Sequence, residues 1–475
     1  MASLHTFSSG MALTPAFPSR SWSCQARCSH AFSDLRPEPR PRRRFQTAAL
    51  CSLGLIASPA CGRARVARRA ARILLLGGAG RIGTAAAVHL LKRSREPLEV
   101  VLAGRSAAKG AAAVAEVEAE VDASCAHQLS FCQVDWQEPG ALETLLAEQS
   151  PTALLHTAGP FDAEPRVLEA ALNGKVPVYV DVADPMSYLD KAIAMDAVAK
   201  EANTSAVVSA GAFPGFSNIL AMECVAQLRS GDPACELRDM NFAYFTAGLG
   251  GSGAVNLLIT NLGFGDPVPV FRGGAYAPQR VAGSEPRRVE FFLDESDPAF
   301  EFVGERDVWS WPFPEAGTVP RLVGITGNSS TGMGTAPGIW NTILVGLVAL
   351  VPRDLWQERW FSEGLAWFSL PMVWFTDQFV KETHAMRVEV TTSDGRRCVA
   401  VQTHESFRRC VAQSSAEFVL HLLERQASTS SSGLSWRPGV FLPEQLAEDE
   451  ATRSDLFQRL SQTEGTVSCG VRVSS

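Results

Sequence analysis

The chain of 475 residues lacks any Cys-x-x-Cys pair, and no cysteine sits with histidine at metal-ligand spacing, so a zinc site is excluded and its thiols are expected to be reduced and mostly buried. Long apolar runs are missing too. Thr47–Cys61 and Ile339–Val351 both fall short of the roughly 20 residues that a bilayer-spanning helix needs. Lysine is absent from the first 72 residues, which instead hold twelve Arg and only two acidic residues. The remaining 403 residues then carry a balance of −17, which leaves no basic face for a nucleic-acid partner.

That unevenness marks residues 1–70 as a separate piece. A Ser-, Ala- and Pro-rich segment that is nearly free of acidic residues has the composition of an organelle transit peptide. The cluster Arg42-Arg43-Arg44 before an apolar stretch resembles a bipartite signal, which points to a plastid, with the mitochondrion as the alternative. Four of the eleven cysteines, Cys24, Cys28, Cys51 and Cys61, fall in this leader. At 46% hydrophobic and 20% charged residues the rest is an ordinary globular mixture, long enough for two domains.

What the chain does have begins at Arg72. An apolar run through Leu76 enters Gly77-Gly78-Ala79-Gly80-Arg81-Ile82-Gly83, and a helix-forming stretch to Lys92 follows. A strand, a Gly-x-Gly-x-x-Gly turn and a helix N-terminus together make a cradle for a pyrophosphate, because phosphate oxygens reach backbone N–H groups only where no Cβ stands in the way. On this reading Gly78 makes the tight turn, Gly80 admits the phosphate and Gly83 packs helix on strand, so Gly78, Ala79, Gly80, Arg81, Ile82 and Gly83 form the cofactor loop. Further strands are expected at 98–102, 129–134, 153–156, 176–182 and 206–210, with helices at 164–172 and 190–202 between the later ones. The alternation predicts an α/β fold with a Rossmann-type doubly wound parallel sheet over residues 71–215.

Strand ends supply the remaining cofactor candidates. The second strand runs into Gly104-Arg105-Ser106, where a NAD site places an acidic residue on the ribose 2′-OH; Arg105 and Ser106 instead suit a 2′-phosphate. NADP is therefore the expected cofactor, with NAD the alternative. Asp135 closes the third strand and reads equally as a helix cap. Ala158, Gly159 and Pro160 follow the fourth and are expected beside the nicotinamide. Asp181, Asp184 and Tyr244 are the weak catalytic candidates; Asp181 reads equally as a cap, and Tyr244 first as core packing. His156 lies inside an apolar strand and is a poorer choice.

From Glu236 the pattern changes. Strand-like runs such as Met240–Phe245, and a hairpin joining Arg387–Thr391 to Cys398–Thr403 across Ser393-Asp394-Gly395, predict a mixed α+β domain over 216–425 for substrate or dimerisation. A helix is expected at 417–425 and a Ser/Thr-rich linker at 426–437. The tail to 475 is expected to return at Gly439–Pro443 and pack on the body. Ile339–Val351 and the following Trp356, Trp360, Trp367 and Trp374 read first as a buried core or homodimer face and second as a peripheral membrane contact.

Three further pieces, His156-Thr157-Ala158-Gly159-Pro160-Phe161, Val178-Tyr179-Val180-Asp181 and Gly211-Ala212-Phe213-Pro214-Gly215-Phe216-Ser217-Asn218, resemble the saccharopine dehydrogenase-like NAD(P)-binding family. Tyr244–Gly253, Gly334-Thr335-Ala336-Pro337 and Pro438–Glu444 resemble its plastid-directed plant and algal members, so the likeness covers nearly all of the chain beyond the leader. The resemblance implies an NADP-dependent oxidoreductase acting on an unidentified small molecule. It does not imply lysine metabolism: saccharopine itself carries carboxylates that require cations, and Arg238, Arg272 and Arg321 fall in no recognisable motif. The spacing Gly77, Gly80, Gly83 is also that of short-chain dehydrogenases, but their Tyr-x-x-x-Lys dyad is missing, Lys191 standing one residue too close to Tyr188. A non-catalytic NADP-binding sensor or scaffold is the alternative, and an apolar cleft at the cofactor would favour it.

Overall fold

The computed structural model describes residues 70–122, 127–159, 161, 164–248, 254–428 and 436–474. The expected leader, apart from its last residue, lies outside them, as do Pro160, the motif residues 249–253 and most of the expected linker. The first half runs β1 (Ala71–Leu76), α1 (Arg81–Arg93), β2 (Leu98–Gly104), α2 (Ala107–Glu120), β3 (Gln128–Gln133), α3 (Ala141–Gln149), β4 (Ala153–His156), α4 (Arg166–Asn173), β5 (Val178–Asp181), α5 (Met186–Ala194), α6 (Asp196–Ala202), β6 (Ser205–Val207) and α7 (Phe216–Arg229). Every expected strand is present. The helix expected at 190–202 is broken at Met195, because Asp196 opens a new turn there and its carboxylate accepts from the Val440 N–H at 3.1 Å.

The second half continues with β7 (Leu237–Ala247), α8 (Ala254–Gly263), β8 (Phe271–Arg272), β9 (Ala275–Tyr276), β10 (Arg287–Glu290), α9 (Pro298–Phe302), β11 (Glu305–Ser310), α10 (Glu315–Val323), β12 (Ser329–Ala336), α11 (Ile339–Leu350), α12 (Arg353–Gln357) and α13 (Arg359–Asp377). It closes with β13 (Thr383–Thr392), β14 (Arg397–His404), α14 (Phe407–Ser428), β15 (Gly439–Phe441), α15 (Pro443–Leu446), α16 (Glu450–Ser461) and β16 (Thr466–Ser474). The hairpin β13–β14 turns at Gly395, whose φ of 95° is the left-handed conformation that glycine alone adopts without strain.

Two seven-stranded sheets organise these elements. The first has the order β15-β6-β5-β4-β1-β2-β3 and is parallel throughout. Its central strands are mostly apolar, with Ile73, Leu74, Leu75 and Leu76 fully buried, as a sheet covered by helices on both faces requires. The strand order reverses between β1 and β4, so the loops that follow those two strands part there and leave a crevice at the C-terminal edge. The second sheet, β10-β11-β12-β7-β13-β14-β16, is mixed: β12 and β7 run parallel and the remaining pairs antiparallel.

The tail does more than pack on the body. β15 adds a seventh strand to the first sheet beside β6, and β16 adds an edge strand to the second beside β14. Helix α14 belongs to both halves as well. Its Glu417 carboxylate is buried against α1, where His89 Nε2 lies at 2.8 Å and Arg93 Nε donates at 3.0 Å. The two sheets are thus tied by chain segments that come after both.

Candidate functional site

The turn after β1 is built almost wholly of backbone. Gly77 has φ of 85°, and a Cβ on it would lie 2.8 Å from the Ala158 backbone nitrogen, so Gly77 rather than Gly78 is the glycine that the tight turn requires. Gly78 is needed for a different reason: its Cβ would meet Leu102 at 2.8 Å on the neighbouring strand. Gly83 matches its expected role, since a Cβ there would sit 2.3 Å from Gly77 O and wedge α1 off the strand. Gly80 stands at the N-cap of α1, and the N–H groups of Arg81, Ile82 and Gly83 have no acceptor one turn back within the helix. Three donors at the positive end of a 13-residue helix, with Ala79 and Gly80 presenting little side chain, fit the pyrophosphate of a dinucleotide.

The other cofactor candidates gather at the same sheet edge. Arg105 is exposed just beyond β2, and its carbonyl accepts from Gln133 Nε2 at 3.0 Å, so the backbone is pinned while the guanidinium faces solvent. Ser106 caps α2, accepting from the Lys109 N–H at 3.3 Å. Asp135 closes the turn after β3 by accepting from the Gln137 N–H at 3.1 Å. Ala158 and Gly159 follow β4 and stand half-buried against the glycine turn. His156 supports them: it is buried between Trp136 and Phe161, and its Nδ1 accepts from the Ala158 N–H at 3.4 Å. Burial pushes its pKa down to about 3, so it stays neutral and carries no proton traffic near pH 7.

Beyond the turn, the two halves of the chain enclose a cleft of about 470 Å³, a size suited to a small ligand. The first sheet contributes Phe161, Asp184, Pro185 and Phe213, and the second half contributes Thr246, Leu258, Asp266, Trp311, Phe313 and Arg359. Phe213 is the hinge of its aromatic wall, lying 4.3 Å from Tyr244, 5.0 Å from Phe313 and 5.1 Å from Phe407. A larger hollow, about 610 Å³, opens at Pro151, Thr152 and Pro177 on the N-terminal edge of the first sheet, away from the glycine turn.

The structure separates the three catalytic candidates. Asp181 is fully buried, and both oxygens are taken: Oδ1 by the N–H groups of Ala183 (3.1 Å) and Ser209 (2.9 Å), Oδ2 by the hydroxyls of Tyr179 (3.0 Å) and Tyr188 (2.7 Å). It ties β5 to β6 and α5 and has no lone pair left for a substrate. Tyr244 takes its first reading, core packing. Its buried hydroxyl donates to Glu315 Oε1 at 2.6 Å, beside Ser217 Oγ at 2.7 Å. Burial raises Glu315 to about 7, so this knot is a structural store of a proton inside the core.

Asp184 remains. It is half-buried in the cleft wall, and loss of water around its carboxyl, reinforced by the charge of Asp266, pushes its pKa up to about 6. Asp266 is raised as well, chiefly by burial, and Gln357 Nε2 donates to it at 3.3 Å. Thr246 adds a buried hydroxyl that has no hydrogen-bond partner among the described residues. Two raised carboxyls and an unmatched hydroxyl on one apolar cleft form the polar part of the site. The sequence pointed to Asp184, to the Phe213 motif and to the Tyr244–Gly253 stretch that holds Thr246; Asp266 and Trp311 carry no local signal and are collected only by folding.

Residues 73–207 match the saccharopine dehydrogenase NADP binding domain. Over those residues the chain is similar to that family. NADP is accordingly the cofactor of this domain. The apo saccharopine dehydrogenase (L-Glu forming) of Saccharomyces cerevisiae shares the fold, with a TM-score of 0.54 at 12% identity over 85% of this chain and 100% of that one. An oxidoreductase from Sinorhizobium meliloti (TM-score 0.35, 11% identity, 83% of this chain and 95% of that chain) and an NADPH-bound short-chain dehydrogenase from Sphingobium yanoikuyae (0.23, 15%, 30% and 69%) superpose too loosely to carry an argument. No curated protein matches the sequence.

Arg238, Arg272 and Arg321, which the sequence left without a motif, stand away from the cleft. Arg238 pairs with Asp239 at 3.3 Å, Arg272 donates to the Ser329 carbonyl at 3.0 Å, and Arg321 lies over the Tyr276 ring at 4.8 Å. None of the three lines the cleft, and among its described lining residues Arg359 is the only arginine or lysine.

Proposed function

We propose that this saccharopine dehydrogenase-type protein transfers hydride between NADP and a small, predominantly apolar substrate that carries one polar reacting group, a carbonyl or a secondary amine. The reading is carried by one observation: an aromatic cleft poor in cations opens at the sheet edge that bears the glycine turn, with Asp184 in its wall. In this assignment the backbone of Gly78, Ala79, Gly80, Arg81, Ile82 and Gly83 binds the pyrophosphate, Arg105 and Ser106 take the 2′-phosphate, Asp135 bounds the adenosine side, and Ala158 and Gly159 bound the nicotinamide side. Bound nicotinamide supplies the hydride chemistry.

The chain's own residues do the rest. Phe161, Phe213, Trp311 and Phe313 exclude water and orient an apolar body. With a pKa of about 6, the Asp184 carboxyl exchanges a proton readily near neutral pH, as a general acid or base requires. A substrate with two or three carboxylates would meet Asp184 and Asp266 without enough opposing charge, which speaks against saccharopine itself.

The test is NADPH consumption by the full chain over a panel of apolar ketones, aldehydes and cyclic imines, with dicarboxylate amino acids as the contrast. Turnover confined to the apolar group is expected. Turnover of the dicarboxylates alone would overturn the substrate class, and NADPH binding without any turnover would favour the alternative of a non-catalytic sensor or scaffold, for which the same aromatic lining also speaks. The Arg-rich, acid-poor first 70 residues support delivery to a plastid, the mitochondrion being the alternative; a fluorescent fusion to that segment should mark one of the two.

A further inference from the structure

Helix α13 is apolar on the wrong side. It buries Ser362, Ala366, Leu370 and Val373, which share one face, so the opposite face should be polar. That face instead carries Trp360, Trp367 and Trp374, at seven-residue spacing, beside Phe368 and Phe375, and all five are between 52% and 72% exposed. Phe379 extends the patch just past the helix end at 73%. The reading of this segment as buried core therefore holds for Trp356 alone among its tryptophans.

Helix α11 lies alongside, joined where Trp340 Nε1 donates to Thr376 Oγ1 at 3.2 Å, and it exposes Leu350 at 84%. No charged residue occurs in Ile339–Leu350, and none between Glu363 and Asp377. A contiguous apolar surface of this kind marks a contact site rather than ordinary exterior. Neither helix is long and apolar enough to cross a membrane, so the contact is a face laid against something.

We propose that the α11/α13 face docks on the surface of a lipid bilayer. Indole and phenyl rings in a row along one helix suit the boundary between headgroups and acyl chains, and the absence of charge between Glu363 and Asp377 means that apolar burial, not headgroup attraction, holds the contact. The position of the layer favours lipid over a second copy of the chain. α8 is fixed to α13 by Asn261 Nδ2 donating to the Ser362 carbonyl at 2.9 Å, and the inner residues of α8, Leu258 and Ile259, line the cleft. Arg359 and Gln357, at the start of α13 and the end of α12, reach the cleft too. The same layer thus presents an aromatic face outward and an apolar cleft inward, which suits a substrate dissolved in the bilayer; that last step rests on the function proposed above, whereas the docking does not.

Flotation of the full chain with phosphatidylcholine vesicles at low and high salt tests this, against a double variant Trp367→Glu, Phe375→Glu, with NADPH binding and sedimentation measured on the same samples. Both side chains are exposed, so the variant is expected to fold and bind NADPH as the parent does. The parent should float at both salt levels, and the variant should lose at least tenfold of the floated fraction. No flotation of the parent, equal flotation of both proteins, or flotation abolished by salt would each overturn the proposal. A parent that stays at the bottom as a dimer, and that the variant turns into a monomer, would show a second copy to be the occupant. Flotation without NADPH binding would leave the docking standing and remove the enzyme reading.

Discussion

The glycine turn and the cleft beside it are built on opposite plans. The turn spans seven consecutive residues, uses backbone groups, and tolerates almost no added atom: a Cβ at Gly83 would lie 2.3 Å from Gly77 O. The cleft draws side chains from the loop after β4 to α14 and is walled by rings that share no hydrogen bonds with one another. The first plan fixes one ligand chemistry, because a pyrophosphate demands a backbone cradle whatever else the protein does. The second leaves the substrate open to change without touching the cofactor, which is how one fold comes to serve different reactions.

Breaking each side of that contrast should produce distinct losses. The largest is expected at Asp184. Asp184→Asn should lower turnover of an apolar substrate by roughly 10² to 10⁴ and remove a kinetic limb near pH 6, while NADPH affinity stays put. Asp181→Asn, three residues away, should do the reverse: a lower melting temperature with turnover retained, because it disturbs a buried hydrogen-bond knot rather than the cleft.

Next comes the turn itself. Gly83→Val should weaken NADPH binding by roughly 5- to 150-fold, the equivalent of the 1–3 kcal/mol typical of an overpacked site, as read by nucleotide titration of the folded variant. An unchanged affinity would show that the turn is not the cradle.

A purely pH-dependent effect, on stability rather than on binding or turnover, is expected at Glu315. Its folded pKa of about 7 lies above the 4.5 of the free side chain, so the folded state holds a proton that the unfolded state has released. The stability this contributes is complete below pH 4.5 and is lost as the pH rises towards 7, a span on the order of 3 kcal/mol. Glu315→Gln cannot titrate and should flatten the unfolding profile over that window in denaturant melts at pH 4.5, 6 and 7.5.

The same contrast sets what could be read from the residues alone. β1, the turn and α1 are legible because strand period, glycine spacing and helix start all lie within about twenty residues. Only the division of labour inside the turn was misassigned, since the left-handed position is Gly77 and nothing in a run of glycines marks which one it is. Asp181 and Asp184 look alike in sequence, one ending the Val178–Asp181 strand and the other three residues on. They are told apart by Tyr188 on α5 and Ser209 past β6, which close around one and not the other. Tyr244 could be read as core, but its partner Glu315 lies 71 residues on, at the start of α10. The tail strand β15 is three residues long and recognisable only once β6 offers it an edge. The apolar stretch from Ile339 to Phe379 could be seen but not oriented, because which of its faces meets the body depends on α8 and α12.

The measurement that tests the account most directly is a fluorescence titration of the protein with NADPH and with NADH, alongside Arg105→Asp. The guanidinium stands exposed at the end of β2, where the dinucleotide's 2′ position is read. Tight NADPH binding, much weaker NADH binding, and loss of that preference by tenfold or more in the variant are the predicted results. Equal affinity for both nucleotides in the parent, or an NADPH preference that survives Arg105→Asp, would contradict the site as assigned.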